Sequence, residues 1–328
     1  MGKLLDERRA ATDARFRELK ANLAEAEDRC RDRACVYAIG SFARGEASPN
    51  SDLDLFIVGQ GTPTNRQLSY LDEICVKADL IEVSRQFRIP DFSGDGEYLK
   101  HYTVDEFVRI LGTPEDDVTN TFTARLLLLL ESRALLEDTV YSKVIQQVIA
   151  AYWRDFEKHK TDFSPAFLAN DILRMWRTFC VNYEARTQTD PAEKRAKRKL
   201  KNYKLKHSRL LTCYSGLLYL LAVHSQKGTV TPDDAVAMVK LTPTQRLEWL
   251  LKQDKIKVPS ELIGQLIERY ERFLDSTNRP ESELVKIFLD GGSEQALLTK
   301  AAPEFGNLMY QVLRAMGNDN QLYRVLVV

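Results

Sequence analysis

The spacing of apolar residues changes once along the chain, from helices alternating with strands to helices alone. Apolar residues at helical spacing predict an amphipathic helix over residues 4–31. Two β-type runs follow, at 34–39 and 53–58, and glycines end both of them. A second long helix is expected over 65–86 and a third strand over 87–92. This first region therefore predicts a small domain in which helices pack on a mixed sheet.

Helical periodicity dominates the sequence after residue 118, and strand signals return only in the tail, over 322–328. The chain is thus expected to have an α+β fold. A small mixed-sheet domain at 1–115 would be followed by a large all-helical domain at 116–328, joined near the turn residues 112–115. The predicted helical segments are 118–136, 140–159, 165–186, 193–224, 231–239, 243–253, 260–274, 281–289 and 293–315.

The amino-acid composition indicates more about the cellular compartment of the protein than about its function. Apolar residues make up 44% of the chain, enough for a packed core, and the formal net charge is zero. Charged partners must therefore be recognised by local patches. The five cysteines are scattered without metal-like spacing, which indicates reduced thiols in a cytoplasmic protein. The charged N-terminus does not read as a signal peptide, and no apolar run predicts direct insertion into a membrane.

Two acidic residues, Asp52 and Asp54, stand at the start of the second predicted strand. Residues at i and i+2 of extended backbone point to the same face, so both carboxylates would lie together while Leu53 and Leu55 face the core. Carboxylate oxygens are the ligands that Mg²⁺ prefers. Pairs of divalent ions clamp the oxygens of a phosphoryl group during transfer. The spacing therefore predicts a site for magnesium ions.

The first predicted strand leads directly into Gly40 and Ser41. Glycine lets the backbone approach a phosphate closely, and Ser41 would supply a hydroxyl and an N–H group at a helix start, where anions are favoured. Together with the two acids, this turn predicts a site for a magnesium-bound nucleoside triphosphate. Two Mg²⁺ ions are expected there, with Mn²⁺ as a substitute.

The segment GSFARGEASPNSDLDLF, residues 40–56, resembles the signature of the DNA polymerase β nucleotidyltransferase superfamily. Its Ala-Arg-Gly-Glu and Ser-Asp-x-Asp-Leu details are similar to those of the minimal nucleotidyltransferases and of the PII uridylyltransferase module. The resemblance implies template-independent transfer of a nucleoside monophosphate from an NTP or dNTP, with release of pyrophosphate. It also implies that Gly40, Ser41 and Arg44 bind the nucleotide and that Asp52 and Asp54 bind both metal ions.

The same resemblance implies a third carboxylate on a later strand, which binds the catalytic metal and helps to activate the acceptor hydroxyl. Asp91 lies on the predicted strand 87–92 and is the first candidate for this catalytic and metal-binding role. Asp95 and Glu97 are the alternatives. The sequence does not choose among the three.

A dense basic run, EKRAKRKLKNYKLKHSR, occupies residues 193–209. It has almost no interspersed acid to form the i,i+4 pairs that stabilise exposed helices. One interpretation is a solvated helix face. Because the superfamily commonly uses Lys and Ser of a helical domain on the triphosphate, the resemblance instead implies this role for Lys204, Lys206 and Ser208. A third interpretation is that residues 194–201 follow a nucleic-acid backbone.

The tail carries one hydroxyl-bearing residue near its end, Tyr323. It would either pack on a terminal strand or act as a protein primer that accepts the first nucleotide. The architecture resembles the CD-NTase-like proteins of antiphage defence, of which the Hailong type makes deoxyadenylate oligomers on a C-terminal tyrosine. That resemblance implies ATP or dATP as substrate, a single-stranded oligonucleotide as product and an effector protein encoded nearby.

Two other functions stay open at this point. The helical domain could dock a target protein whose side-chain hydroxyl receives AMP or UMP, as in toxin–antitoxin or regulatory nucleotidyltransferases. Alternatively, the chain could keep the fold and bind nucleotides without chemistry. The intact pair Asp52 and Asp54 argues against this last function, and the unassigned third carboxylate argues for it.

Overall fold

The computed structural model describes residues 2–92, 96, 99–184, 191–254, 258–318 and 320–327. The chain forms two compact units, one over residues 3–154 and the other over 155–328. In the described part of the chain, no helix combines the length and the apolar composition needed to cross a bilayer.

The first unit is built around a four-stranded sheet of order β5-β2-β1-β6. Strand β1 is antiparallel to both of its neighbours, whereas β2 and β5 run parallel, so the sheet is mixed. The predicted α+β fold class is confirmed. The strands are β1 (Ala34–Ile39), β2 (Asp54–Gly59), β5 (His101–Thr103) and β6 (Arg133–Leu136), with a separate short hairpin of β3 (Gly61–Thr62) and β4 (Asn65–Arg66).

Helices cover this sheet and bury its apolar residues. The helix predicted over 4–31 is divided at residues 22–23, where Leu23 enters the core. Helix α4 begins with Ser69 as its N-cap, whose hydroxyl accepts a hydrogen bond from the Asp72 N–H. The helices of this unit are α1 (Lys3–Ala21), α2 (Ala24–Cys30), α3 (Gly40–Arg44), α4 (Tyr70–Gln86), α5 (Val104–Arg109), α6 (Glu115–Val118), α7 (Thr121–Leu130) and α8 (Asp138–Tyr152).

The strand predicted over 87–92 is wrong. This segment leaves α4 through Arg88, which has a φ of +53°, and continues without a strand partner. Phe87 and Phe92 still pack against the core, which accounts for their strand-like apolar pattern. In chain order, the third strand of the four-stranded sheet is instead β5. It pairs with β2 and places His101 opposite Ile57.

The first unit extends past the predicted boundary at residue 115. Two features hold the following segment to it. Strand β6 pairs with β1, so the last residues of the helix predicted over 118–136 belong to the sheet. In addition, Arg125 donates to both carboxylate oxygens of Asp116, and both side chains are fully buried. A buried bidentate pair of this kind anchors the turn that was expected to be a linker.

The second unit consists of helices, as predicted. The strand expected in the tail is wrong, because residues 321–327 form a helix. Leu322 and Leu326 are buried at the i,i+4 spacing of that helix, and Asn320 accepts a hydrogen bond from the Leu322 N–H. The helices are α9 (Ala166–Glu184), α10 (Ala192–Lys204), α11 (Leu210–Lys227), α12 (Pro232–Val239), α13 (Pro243–Leu250), α14 (Ser260–Ser276), α15 (Glu281–Asp290), α16 (Ser293–Gly317) and α17 (Gln321–Val327), with a 3₁₀ turn at Phe156–Lys158 and a π-helical turn at Leu205–Arg209.

Candidate active site

The β1–β2 pairing brings the glycine turn and the second acid together. Ile39, the last residue of β1, lies opposite Asp54, the first residue of β2. Gly40 follows with a φ of +70°, and a Cβ built on it would lie 3.3 Å from Oδ2 of Asp54. The bare Cα of Gly40 therefore faces the Asp54 carboxylate, at a φ that disfavours residues with a side chain.

The two acids alternate with buried leucines, as the sequence predicts. Leu53 and Leu55 are 3% and 4% exposed, whereas Asp54 is half-buried and Asp52 is exposed. Strand β2 begins only at Asp54, so Asp52 lies in the segment just before it. No hydrogen bond or ion pair engages the Asp52 carboxylate within the part of the chain that the structure describes. This carboxylate is therefore available to a ligand.

Helix α3 begins at Gly40 and carries Ser41 as its second residue. Phe42 is fully buried and fixes the short helix on the core. The helix ends at Gly45, whose N–H donates to the Phe42 carbonyl at 3.3 Å and whose φ of +71° turns the chain so that the Glu46 N–H donates to the Ser41 carbonyl at 2.8 Å. The Ser41 side chain is half-buried. Its hydroxyl is thus carried by a short and firmly packed turn.

A buried ion network lies beneath the turn. The Gly40 N–H donates to Oε1 of Glu131 at 3.2 Å, and Nη1 of Arg44 donates to Oε2 of the same carboxylate at 3.0 Å. Nε of Arg44 donates to Glu46 Oε2 at 2.8 Å. The side chains of Glu131, Glu46 and Arg44 are 0%, 1% and 9% exposed. One cation therefore bridges two buried carboxylates, and one of these carboxylates also binds the backbone of the glycine turn.

The network gives Arg44 and Glu131 structural contacts that the sequence did not predict. Arg44 contacts two carboxylates of its own unit, an arrangement that fixes the turn, and its direct contact with a nucleotide stays a prediction. Glu131 was not identified from the sequence. The signal available for it was weak, a single carboxylate at the end of a run of five leucines. A charged residue in such a run is retained inside a core only when it is paired.

The third carboxylate is not fixed by the fold. Asp91 follows α4 outside any strand, its side chain is 71% exposed, and its Oδ1 accepts from Nε of Arg85 at 3.0 Å. Asp91 therefore does not lie on a strand, the position on which its candidate role was based. Asp95 and Glu97 precede β5 and lie outside the described residues. The identity of this acid stays a prediction.

The remaining predicted site residues lie in the second unit. Lys204 ends α10, and Lys206 and Ser208 belong to the π-helical turn that follows. Ser208 Oγ donates to the Lys204 carbonyl at 2.8 Å, whereas Lys206 is exposed. Tyr323 lies on α17 with its ring packed on Gly317. The proposed roles of these residues with a triphosphate or as a primer stay predictions.

The residues at the β1–β2 end fit a divalent metal bound to phosphates. Mg²⁺ typically takes one or two protein carboxylates and fills its other positions with waters and phosphate oxygens. Asp52 and Asp54 offer two such carboxylates, and the missing Cβ of Gly40 leaves room next to Asp54. No cluster of three or more His, Cys, Asp or Glu side chains suited to a metal occurs among the described residues. Because phosphate oxygens complete the coordination of Mg²⁺, two carboxylates are suited to a metal that arrives with its nucleotide.

Comparison with known proteins agrees with this geometry. No curated protein matches the chain. The model of the nucleotidyltransferase domain, by contrast, matches residues 19–140. The match includes the glycine turn, both acids and all the strands of the four-stranded sheet. Residues 19–140 are therefore similar to a nucleotidyltransferase domain, the kind of domain that the glycine turn and the two acids predict.

Proposed function

We propose that the protein is a metal-dependent, template-independent nucleotidyltransferase that uses Asp52 and Asp54 as metal ligands. The observation that carries this proposal is the position of the Asp54 carboxylate against the bare Cα of Gly40, at the end of the β1–β2 hairpin. A triphosphate held at the glycine turn would lie within reach of metal ions bound by the two acids. Few other reactions need an anion-binding turn and a carboxylate pair at one point.

The reaction balances as a single displacement at phosphorus. An acceptor hydroxyl attacks the α-phosphorus, a new O–P bond forms, the bond between the α-phosphorus and its bridging oxygen breaks, and pyrophosphate leaves with the electron pair. The acceptor proton passes to a base, which is the role proposed for Asp91, Asp95 or Glu97. Two Mg²⁺ ions, or Mn²⁺ in their place, would neutralise charge on the phosphate oxygens when they are bound. Gly40 and Ser41 would hold the β- and γ-phosphates, with Lys204, Lys206 and Ser208 as proposed further contacts.

Incubation of the full chain with each labelled NTP and dNTP tests the proposal, in Mg²⁺, in Mn²⁺ and in a chelator. ATP or dATP is the expected substrate. We expect Asp52→Asn and Asp54→Asn each to lower transfer by a factor of about 100 or more, the scale of removing one charge-stabilising group. Asp32→Asn serves as the matched control, because Asp32 is an exposed acid at a φ of +57° that asparagine tolerates. Pyrophosphate release that is unchanged in both active-site variants would contradict the proposal.

The acceptor is the less constrained part of the proposal, and we favour an oligonucleotide. The support is the basic segment of the second unit, since nucleic-acid backbones are recognised by such segments. A ladder of products on an added oligonucleotide is the expected result. Labelling that requires a second protein would instead favour transfer of AMP or UMP to a protein hydroxyl. A protein that binds nucleotides but consumes none would be a non-catalytic relative.

Priming on Tyr323 is a more specific version of this proposal, in which a defence enzyme builds deoxyadenylate oligomers on itself and an effector protein responds to them. Its support is the hydroxyl close to the chain end. Because the ring packs on Gly317, priming would require α17 to detach from α16. Tyr323→Phe keeps this packing and removes only the hydroxyl. Product that stays attached to the Phe variant would exclude Tyr323 as the primer and leave nucleotidyl transfer itself intact.

A further inference from the structure

The second unit carries a concentrated positive charge on a helix that is anchored by its other face. Ala196, Leu200 and Tyr203 of α10 are buried, and the helix packs against α15. Arg195, Lys199 and other cations of α10 are exposed. The segment 192–209 contains nine Lys and Arg residues and one acid, in a chain whose formal net charge is zero. The cations are thus presented on a helix whose opposite side is packed in the unit.

The charges on this face are poorly compensated. Lys197 pairs with Glu193 at 3.2 Å, but Arg195, Lys199 and Lys201 have no acidic partner in the part of the chain that the structure describes. Arg195 and Lys199 are four residues apart, as are Lys197 and Lys201, and like charges at this spacing oppose helix formation. A ligand with several negative charges would remove this repulsion, so the face is suited to a polyanion.

A cavity of about 360 Å³ lies at the C-terminal end of this basic segment. Tyr203, His207 and Phe273 give it an aromatic wall, and the His207 ring stacks on Phe273 with 4.6 Å between ring centroids. The π-helical turn after α10 carries His207, and such turns are frequent at functional sites. The volume is within the range of small-ligand pockets. The cavity can therefore accept one flat ring.

The polar groups of the cavity indicate the chemistry of that ring. His207 is 2% exposed, and its Nδ1 lies 2.9 Å from the Tyr203 carbonyl, which only accepts. Nδ1 therefore donates, and Nε2 of the neutral ring is left as an acceptor for an N–H group. Three cations also line the cavity: Arg269 and Lys300 share the carboxylate of Glu304, and Arg272 pairs with Glu268, so the cations outnumber the acids by three to two. A heterocycle with an N–H donor and an attached phosphate satisfies both features.

We propose that the second unit binds single-stranded nucleic acid, with the phosphate backbone along the exposed face of α10 and one base in the cavity beside His207. Single-strand-binding proteins combine these two elements, a basic track and an aromatic surface for bases. A duplex keeps its bases stacked and cannot offer one to a cavity. An anionic membrane is disfavoured because interfacial helices insert an apolar face, and the apolar face of α10 is buried in the protein.

The bound strand would be the acceptor or the product of nucleotidyl transfer. Only this assignment of the strand rests on the proposed function. Binding itself requires neither metal nor triphosphate. It is therefore measured in a chelator, without NTP, on the full chain and on Asp52→Asn/Asp54→Asn. Binding without transfer would contradict only the proposed function, and transfer without binding would contradict only the present proposal.

Fluorescence anisotropy of a labelled single strand of about 20 nucleotides provides the test. We expect Arg195→Gln/Lys199→Gln/Lys201→Gln to weaken binding at least about tenfold at low salt. The slope of log affinity against log salt should also fall by about 2, because each of the three lost phosphate contacts contributes about 0.7. The matched control is Lys158→Gln/Lys240→Gln/Lys252→Gln, which removes three exposed cations of the same unit that lie outside α10 and its neighbour α15 and should change neither value.

Photo-crosslinking of a strand that contains 4-thiothymidine tests the cavity directly. Crosslinks on peptides that carry Tyr203, His207 or Phe273 are expected, and their loss on addition of unlabelled strand shows that they are specific. Three results would overturn the proposal: unchanged affinity in the triple α10 variant, equal affinity for single strand and duplex, or binding to phosphatidylserine vesicles without binding to the strand. Crosslinks confined to other peptides would likewise show that the base does not bind in the cavity.

Discussion

The backbone N–H of Gly40 donates to the buried carboxylate of Glu131, 91 positions later in the chain. The second oxygen of that carboxylate accepts from Arg44, which also binds Glu46. The turn that would hold a triphosphate is therefore fixed from below by an ion network that does not depend on a ligand. Asp54 lies on the other side of the same glycine.

Replacing Glu131 by Gln should weaken this support. The amide can still accept the Gly40 hydrogen bond, but its NH₂ group would face Arg44 with no negative charge. We expect a loss of about 1–3 kcal/mol in the free energy of unfolding, the cost of leaving a buried polar group poorly paired. Urea unfolding measures it, with the exposed Glu18→Gln as control. Equal midpoints for the two variants would show that the network contributes little.

Gly40 and Gly45 form a natural pair of test positions at the two ends of α3. Their φ angles are +70° and +71°, so an alanine at either position costs about 1–2 kcal/mol of backbone strain. Only at Gly40 would the added methyl group meet Asp54, whereas at Gly45 it would lie 3.4 Å from Arg9 Cγ. We therefore expect similar thermal destabilisation of both variants and loss of nucleotidyl transfer in Gly40→Ala alone. Equal activity of the two variants would show that Gly40 has no role in nucleotidyl transfer.

The Asp116–Arg125 pair should be important for the stability of the first unit. Both side chains are fully buried, and Thr121 Oγ1 also donates to Asp116 at 2.7 Å. Asp116→Asn leaves a buried guanidinium without its counter-charge, and we expect a loss of about 3–5 kcal/mol. Chemical denaturation checks this value against Asp117→Asn, the exposed neighbour. Asp116→Asn/Arg125→Met should lose less than the single Asn variant, because no unpaired charge remains.

His207 should make the second unit sensitive to acid. Burial lowers the pKa of His207 to about 4, against the opposing effect of its hydrogen bond to the Tyr203 carbonyl. An unfolded histidine titrates near pH 6.5, so the unfolded state binds more protons between about pH 6.5 and 4. The stabilisation is present above this window and is lost as the pH falls through it.

The corresponding measurement compares unfolding at pH 7.5 and pH 5. The wild-type chain should lose about 2 kcal/mol more than His207→Gln over this interval. His159→Gln, a substitution of an exposed histidine, is the control and should follow the wild type. Parallel pH profiles for wild type and His207→Gln would show that the imidazole is not protonated in this range.

Much of the candidate site could be predicted from residues close together in sequence. Strands β1 and β2, the glycine turn and the alternation of Asp52 and Asp54 with buried leucines all follow from local pattern. The later strands could not be predicted in the same way. Residues 87–92 have strand-like composition but no partner, whereas β6 follows an apolar helix and forms only because β1 offers it an edge.

The sequence by itself determined the fold class, the helical second unit and the likeness of residues 19–140 to a nucleotidyltransferase domain. Tertiary structure decided that Glu131 supports the glycine turn, that Asp91 is an exposed partner of Arg85, and that the tail is a helix. The reason is the range of the forces involved. Periodicity and turn chemistry act over a few residues, whereas strand pairing and buried ion pairs depend on which distant segments the core brings together.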